Sequence, residues 1–400
     1  MGYLCELCNG KHPYLKDNFC PFQELTKKFS PQKLNLDFLG NTPPDVFVGT
    51  YNYPNVFTGI LSPVEYKEDT SNLSNPEDWF KQKLGISDIL INRSSMIYSR
   101  FKTNIKEKNK LLETTQELAM SKKSVDVEFF LGKKPKLGLS LDYRNIPISN
   151  PAPLKKAVIA ENINIDKQVE TLVFSKDIKS QEGILGLYKR GFSISYLIKL
   201  LSSGLLGIIN QRKLVPTKWS ITAVDSLISK NLIEKIRSYK WINEIQIFYD
   251  TYLENHYEII LLPREWSFEV IEAKLPALDE SYFWQDYENF NDRKNYASDV
   301  TGAYYANRLA VCEYLEKIKK QASVLILREI GNYWAPLGVG ILREVSRNAF
   351  NKEPLKFNNL NESFENINER MKLNLDKLFN RSFLLKEYKS QKKLSAFFNN

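Results

Sequence analysis

The apolar residues of this chain change period several times, and the changes divide it. Around Val46–Tyr51 (VFVGTY) and Val125–Leu131 (VDVEFFL) apolar residues recur as they do in strands. Between them, Ser94–Ala119 has the length and apolar spacing of a helix. Residues 62–77 are polar and breaker-rich, and 132–153 are rich in Gly, Pro, Lys and Asn; both read as loops. Compact helical spacing follows at Gly183–Lys189 and Ser193–Leu201. A longer helix is expected from Ser220 onward. Thr222 and Asp225 stand there at capping-box spacing, and Val224, Leu227, Ile228 and Ile236 fall near one face.

The pattern then turns to strands. Ile245 and Ile247 alternate with polar neighbours, and Tyr257–Leu262 can pair back through a turn near Glu254–Asn255. Glu265–Ala273 adds a third strand. Residues 277–300 are acidic and aromatic, break the pattern and mark a boundary. Beyond it, Gly302–Lys320 is a helix with Tyr305, Leu309, Cys312 and Leu315 on one face. Val324–Leu327 is a short buried strand, and two helices follow near Val339–Phe350 and Asn361–Leu378. There is no regular βα alternation, so the expected class is α+β. The expected organisation is a zinc-binding segment at 1–24, a mixed two-part core at 43–276 and 285–380, and a flexible tail at 381–400. A chain of 400 residues exceeds what one hydrophobic core usually holds.

Composition narrows the function classes. With 43% hydrophobic and 26% charged residues the chain reads as an ordinary soluble protein. No apolar run approaches the ~20 residues that span a bilayer, and the first residues do not have the pattern of a signal peptide. A cytoplasmic location without a membrane partner is expected. The net charge of +9 suits an anionic partner such as nucleic acid.

Cys5, Cys8, His12 and Cys20 have the spacing C-x2-C-x3-H-x7-C. A C-x2-C turn places two thiolates on one side of a metal ion, and the looser pair closes a tetrahedron from the other. Three of the four cysteines and one of the two histidines fall here, which points to Zn2+. All four positions are protein ligands, so the site is structural. Twenty residues bury too little apolar surface to fold alone, so metal binding would supply the folding energy, on the order of 10 kcal/mol.

The last ten residues read QKKLSAFFNN. Gln391, Leu394, Phe397 and Phe398 form the pattern Q-x-x-L-x-x-F-F, which resembles the PIP box, the peptide that binds the DNA polymerase sliding clamp, PCNA. One 3₁₀ turn would bring Leu394, Phe397 and Phe398 together as an apolar plug. Gln391 would bond at the pocket rim, and Lys392 and Lys393 would favour an acidic surface. The alternative is an amphipathic tail docked on its own core.

Several blocks point to one family. PPDVFVGTYNYP (Pro43–Pro54), APLKKAVIAEN (Ala152–Asn162), LYKRGFSISYLIKLLSSGLL (Leu187–Leu206) and RKLVPTKWSITAVD (Arg212–Asp225) resemble blocks of the archaeal Nre proteins. So do Gly302–Leu315 and Pro336–Arg347. The resemblance spans nearly the whole chain. It implies a metal-binding segment, a larger and a smaller domain, a PIP box, and a role in DNA-damage repair with the clamp. His12 stands where the family leads one to expect cysteine; a Cys₃His set still binds zinc.

The expected function is therefore a DNA-repair factor that reaches the clamp through its tail and contacts DNA. Arg212, Lys213 and Lys218, with Trp219 among them, could grip phosphates and stack a base, or could be solvated charges around a core aromatic. The rival reading is an enzyme acting on nucleic acid, with its active site in the core. A nuclease would draw on Glu265, Glu269 and Glu272, but in a strand Glu265 and Glu269 face one way and Glu272 the other. An NAD-dependent ADP-ribosyltransferase-like site would draw on Arg93, Ser220 and Glu269. A third reading is an RNA-binding protein with a docked tail. His256 reads as structural.

Overall fold

The computed structural model describes residues 35–63, 70, 73–136, 138–277, 279–331 and 335–390. The cysteine/histidine cluster and the PIP-like residues lie outside these. The chain forms two compact units, Met1–Ile228 with Trp334–Ile341, and Ser229–Tyr333 with Leu342–Asn400. Both are mixed α and β, which makes the class α+β.

The first unit is built on a six-stranded sheet. Its strands are β1 (Asp37–Thr42), β2 (Asp45–Val48), β3 (Asn55–Pro63), β4 (Met96–Asn104), β5 (Val125–Leu131) and β8 (Pro151–Ile159), in the order β1-β5-β8-β4-β3-β2. Only β4 and β8 run parallel. A small ladder of β6 (Leu139–Ser140) and β7 (Ile148–Ser149) lies within the segment expected to be a loop. The strict alternation of β5 buries Val125, Val127, Phe129 and Leu131 in one core with Val56, Ile60 and Ile97. Each such side chain contributes roughly 1.5–3 kcal/mol.

The helix expected over Ser94–Ala119 is three elements. After α1 (Pro76–Lys81), α2 (Ile86–Ser94) ends where the prediction began; β4 follows, and only then α3 (Lys110–Met120). β4 is a strand because it pairs with β3 along its whole length and with β8 at Tyr98–Arg100. Those partners are distant in sequence, and no local spacing reports them. The helices α5 (Ser180–Lys189) and α6 (Ile194–Ser202) agree with the periodicity, and α4 (Lys167–Phe174), ahead of them, is additional. The side chains of Asn109, Asp166 and Ser193 accept backbone N–H bonds at the starts of α3, α4 and α6. α7 (Thr217–Ile236) follows.

The second unit has its own six-stranded sheet, from β9 (Ile245–Tyr252), β10 (Asn255–Leu262), β11 (Ser267–Lys274), β12 (Phe283–Glu288), β13 (Ser323–Ile330) and β14 (Leu355–Phe357). The order is β12-β11-β13-β10-β9-β14, with β11 and β13 parallel. β12 lies inside the stretch 277–300 where the pattern breaks, and it pairs with β11. The β9–β10 turn puts Leu253 and Glu254 at positive φ, 49° and 61°. This is the two-residue primed turn that matches strand twist. Neither residue is glycine; Asn255 holds the turn by donating to the Tyr252 and Leu253 carbonyls. On one sheet face α8 (Gly302–Ile318) packs Tyr304 edge-on to Phe268. The other face buries Ile260, Leu262, Ile271 and Leu327 against α10 (Leu360–Asn368), α11 (Leu375–Arg381) and α12 (Phe383–Ser390), while α9 (Val339–Ala349) precedes β14.

Candidate nucleic-acid interface

The site begins at the start of α7. The Val48 N–H, at the end of β2, donates to Thr217 Oγ1 at 2.9 Å, and Ser202 Oγ lies 3.0 Å from the same hydroxyl. α7 therefore starts beside the turn that follows β2. That turn is tight: Tyr53 N–H donates to the Thr50 carbonyl, Asn55 N–H donates to Asn52, and Asn52 has φ 60°. Asparagine tolerates this left-handed conformation better than most residues. The turn lifts Tyr51 and Tyr53 to the surface, 76% and 41% exposed. Trp219, the third residue of α7 and 43% exposed, meets Tyr53 with ring centroids 5.0 Å apart. This separation lies in the range of favourable aromatic contact, so each ring orients the other.

Basic residues border the rings. Ile105 N–H donates to the Pro54 carbonyl, and Leu214 N–H donates to the Ile105 carbonyl. Ile105 and Leu214 are buried, and their chain neighbours Lys106 and Lys213 are exposed. Lys218 reaches Asp142 at 3.0 Å, next to the exposed ring of Tyr143. Burial pushes the Asp142 carboxyl up, but the Arg144 N–H bond and Lys218 outweigh it and hold the group below its usual range. The surface here thus combines exposed aromatic rings with two exposed lysines on neighbouring segments, residue types that suit nucleobases and phosphates.

Of the residues singled out in the sequence, Lys213, Lys218 and Trp219 lie here. Arg212 has turned inward: it donates to the Gly207, Val173 and Ser175 carbonyls at 2.7, 2.6 and 2.9 Å. It clasps the end of α4. Tyr51, Tyr53 and Lys106 were not anticipated; two tyrosines in a polar, proline-flanked turn were the available signal.

The candidates for catalysis hold up structure. Arg93 is fully buried and bonds the Pro147 and Leu73 carbonyls and Asp45. Ser220 is buried and donates to the Val215 carbonyl. Glu269 accepts from Gln285, Ser382 and the Phe383 and Leu384 N–H groups, fixing the start of α12. Burial raises its pKa against these bonds. Glu272 points to the opposite face and pairs with Arg328 at 2.7 Å, while Glu265 is exposed ahead of the strand. The carboxylates therefore do not converge on a metal. His256 sits between Thr251 Oγ1 and Glu258, whose carboxylate also holds Arg370. Among the described residues no group of three His, Cys, Asp or Glu could hold a metal ion, and no helix is long and apolar enough to cross a membrane.

Comparison with known proteins adds the lineage. The family model described as archaeal Nre, N-terminal, matches residues 15–278, and that described as archaeal Nre, C-terminal, matches 288–397. DNA repair protein NreA of Haloferax volcanii is 33% identical over 357 residues, 86% of this chain and 85% of the relative. DNA repair protein NreB of Archaeoglobus fulgidus is 33% identical over 389 residues, 96% of this chain and 97% of its own. DNA repair protein NreA of the same organism is 33% identical over 377 residues, 92% and 93% of the two chains. No solved structure matches. With both family models covering nearly all of the sequence, and relatives alike along most of their length, this chain belongs to the archaeal Nre family.

Proposed function

We propose that this protein is a DNA-repair factor that contacts DNA through the aromatic and basic patch of its first unit and is recruited to the sliding clamp by Gln391, Leu394, Phe397 and Phe398. The repair role rests on the names of three relatives similar along most of their length. The observation that carries the DNA contact is the Tyr53–Trp219 ring pair standing at the surface, with exposed Lys106 and Lys213 on segments joined to Pro54 by backbone hydrogen bonds. The clamp contact rests on the Q-x-x-L-x-x-F-F spacing of residues 391–398. Cys5, Cys8, His12 and Cys20 are proposed to hold a structural Zn2+, on the chemistry and spacing of those side chains.

Calorimetry with an archaeal sliding clamp tests the recruitment. The whole chain is expected to bind, and the double substitution Phe397→Ala, Phe398→Ala to abolish binding. Unchanged affinity in the double variant ends the tether. DNA affinity should fall steeply with salt, because phosphate contacts release counterions; a flat response argues against the interface.

A further inference from the structure

The form of the patch specifies its ligand more closely than charge does. In a duplex the base faces are buried by stacking, and a protein meets only phosphates, sugars and base edges in the grooves. Those features call for hydrogen-bond donors, acceptors and cations. This surface instead exposes aromatic residues: Tyr51 at 76%, Tyr53 at 41% and Trp219 at 43%. Such faces match unpaired bases, whose own π surfaces are open, with little regard to sequence.

The rings are also held in place before any ligand arrives. Tyr53 is braced by Trp219 at 5.0 Å. Its turn is closed by the Tyr53–Thr50 and Asn55–Asn52 backbone bonds. The start of α7 is pinned to β2 by Thr217. Little ordering then remains to oppose binding. The Pro54–Ile105–Leu214 series of backbone bonds ties the segments that carry the exposed Lys106 and Lys213 to the turn that carries Tyr53, and a strand whose bases stack needs cations near by for its phosphates.

We infer that this patch selects single-stranded over duplex DNA, stacking unpaired bases on Tyr53 and Trp219 while Lys106 and Lys213 take the phosphates. The inference rests on the DNA contact proposed above and adds the strandedness of the ligand.

The test is fluorescence anisotropy of the full chain with a labelled oligo(dT) strand and with a labelled duplex of the same length. The single strand should bind more tightly. Trp219→Ala should weaken single-strand binding by about tenfold or more, since a stacked base contributes roughly 1–3 kcal/mol. It should leave duplex binding nearly unchanged, and Trp219→Phe should restore much of the loss. Phe174→Ala, which removes another exposed aromatic of the same unit, should have no effect. Equal or tighter duplex binding overturns the selectivity while leaving the DNA contact intact. Equal losses on both ligands in Trp219→Ala, in protein whose circular dichroism is unaltered, overturn the stacking role. Tighter binding of a single-stranded RNA of equal length overturns the assignment to DNA. Binding of neither DNA form removes the underlying DNA contact as well.

Discussion

The Val48 N–H is buried at the end of β2 and finds its acceptor in the side chain of Thr217, 169 positions later. This bond ties the start of α7, which carries Trp219, to the strand end that leads into the turn of Tyr53. Thr217→Val keeps the shape but removes the acceptor. An unsatisfied buried donor costs about 1–3 kcal/mol, which urea denaturation should register. Binding of DNA should weaken in the same variant, although Thr217 itself lies beneath the patch.

Glu288 and Arg308 form a fully buried ion pair at 2.7 Å, with Ser229 accepting from the same guanidinium. Taking either charge away strands the other in a medium that solvates it poorly. Arg308→Met should therefore lower stability by about 3–5 kcal/mol. Adding Glu288→Leu should recover a large part of that loss, because an apolar pair needs no compensation. Chemical denaturation of the two single variants and the double variant measures the coupling.

Lys199 donates to the Ser121 carbonyl at 3.0 Å, close over the Tyr196 ring. Burial pushes its ammonium down to about 7 from an ordinary 10.5, with the Asp45 carboxylate pulling the other way. Between those values the unfolded chain binds a proton that the native one does not. Stability contributed by this group should therefore rise as pH increases from about 7 to about 10. Thermal melts across that range should show the slope, and Lys199→Met should flatten it.

Metal analysis of the purified chain should find one equivalent of zinc. Cys8→Ser should reduce it, since each thiolate is one of four proposed ligands. Native protein that is free of zinc would remove Cys5, Cys8, His12 and Cys20 from the functional picture.

Much of the second unit was legible because its elements are local. The alternation at Ile245 and Ile247, the turn beside Asn255 and the face of α8 all depend on neighbours within a few residues. The opposed directions of Glu269 and Glu272 followed from strand period alone. β4 was hidden because its partners are β3 and β8, and pairing with distant strands overrides local spacing. The patch was half visible. Lys213, Lys218 and Trp219 stand together in sequence, but Tyr51, Tyr53 and Lys106 join them only through long-range hydrogen bonds. Arg212 shows the reverse: a basic residue in a basic run can face inward when carbonyl groups at a helix end need a donor.

β11 carries a carboxylate on each side, one seated against the start of α12 and the other against Arg328. Because successive side chains alternate, a slip of one position against β13 would exchange the two faces. Each acid would then arrive in an interior built for a hydrocarbon, with its intended cation or amide on the far side. A misaligned sheet would thus carry a penalty of two stranded charges that a uniformly greasy strand would not.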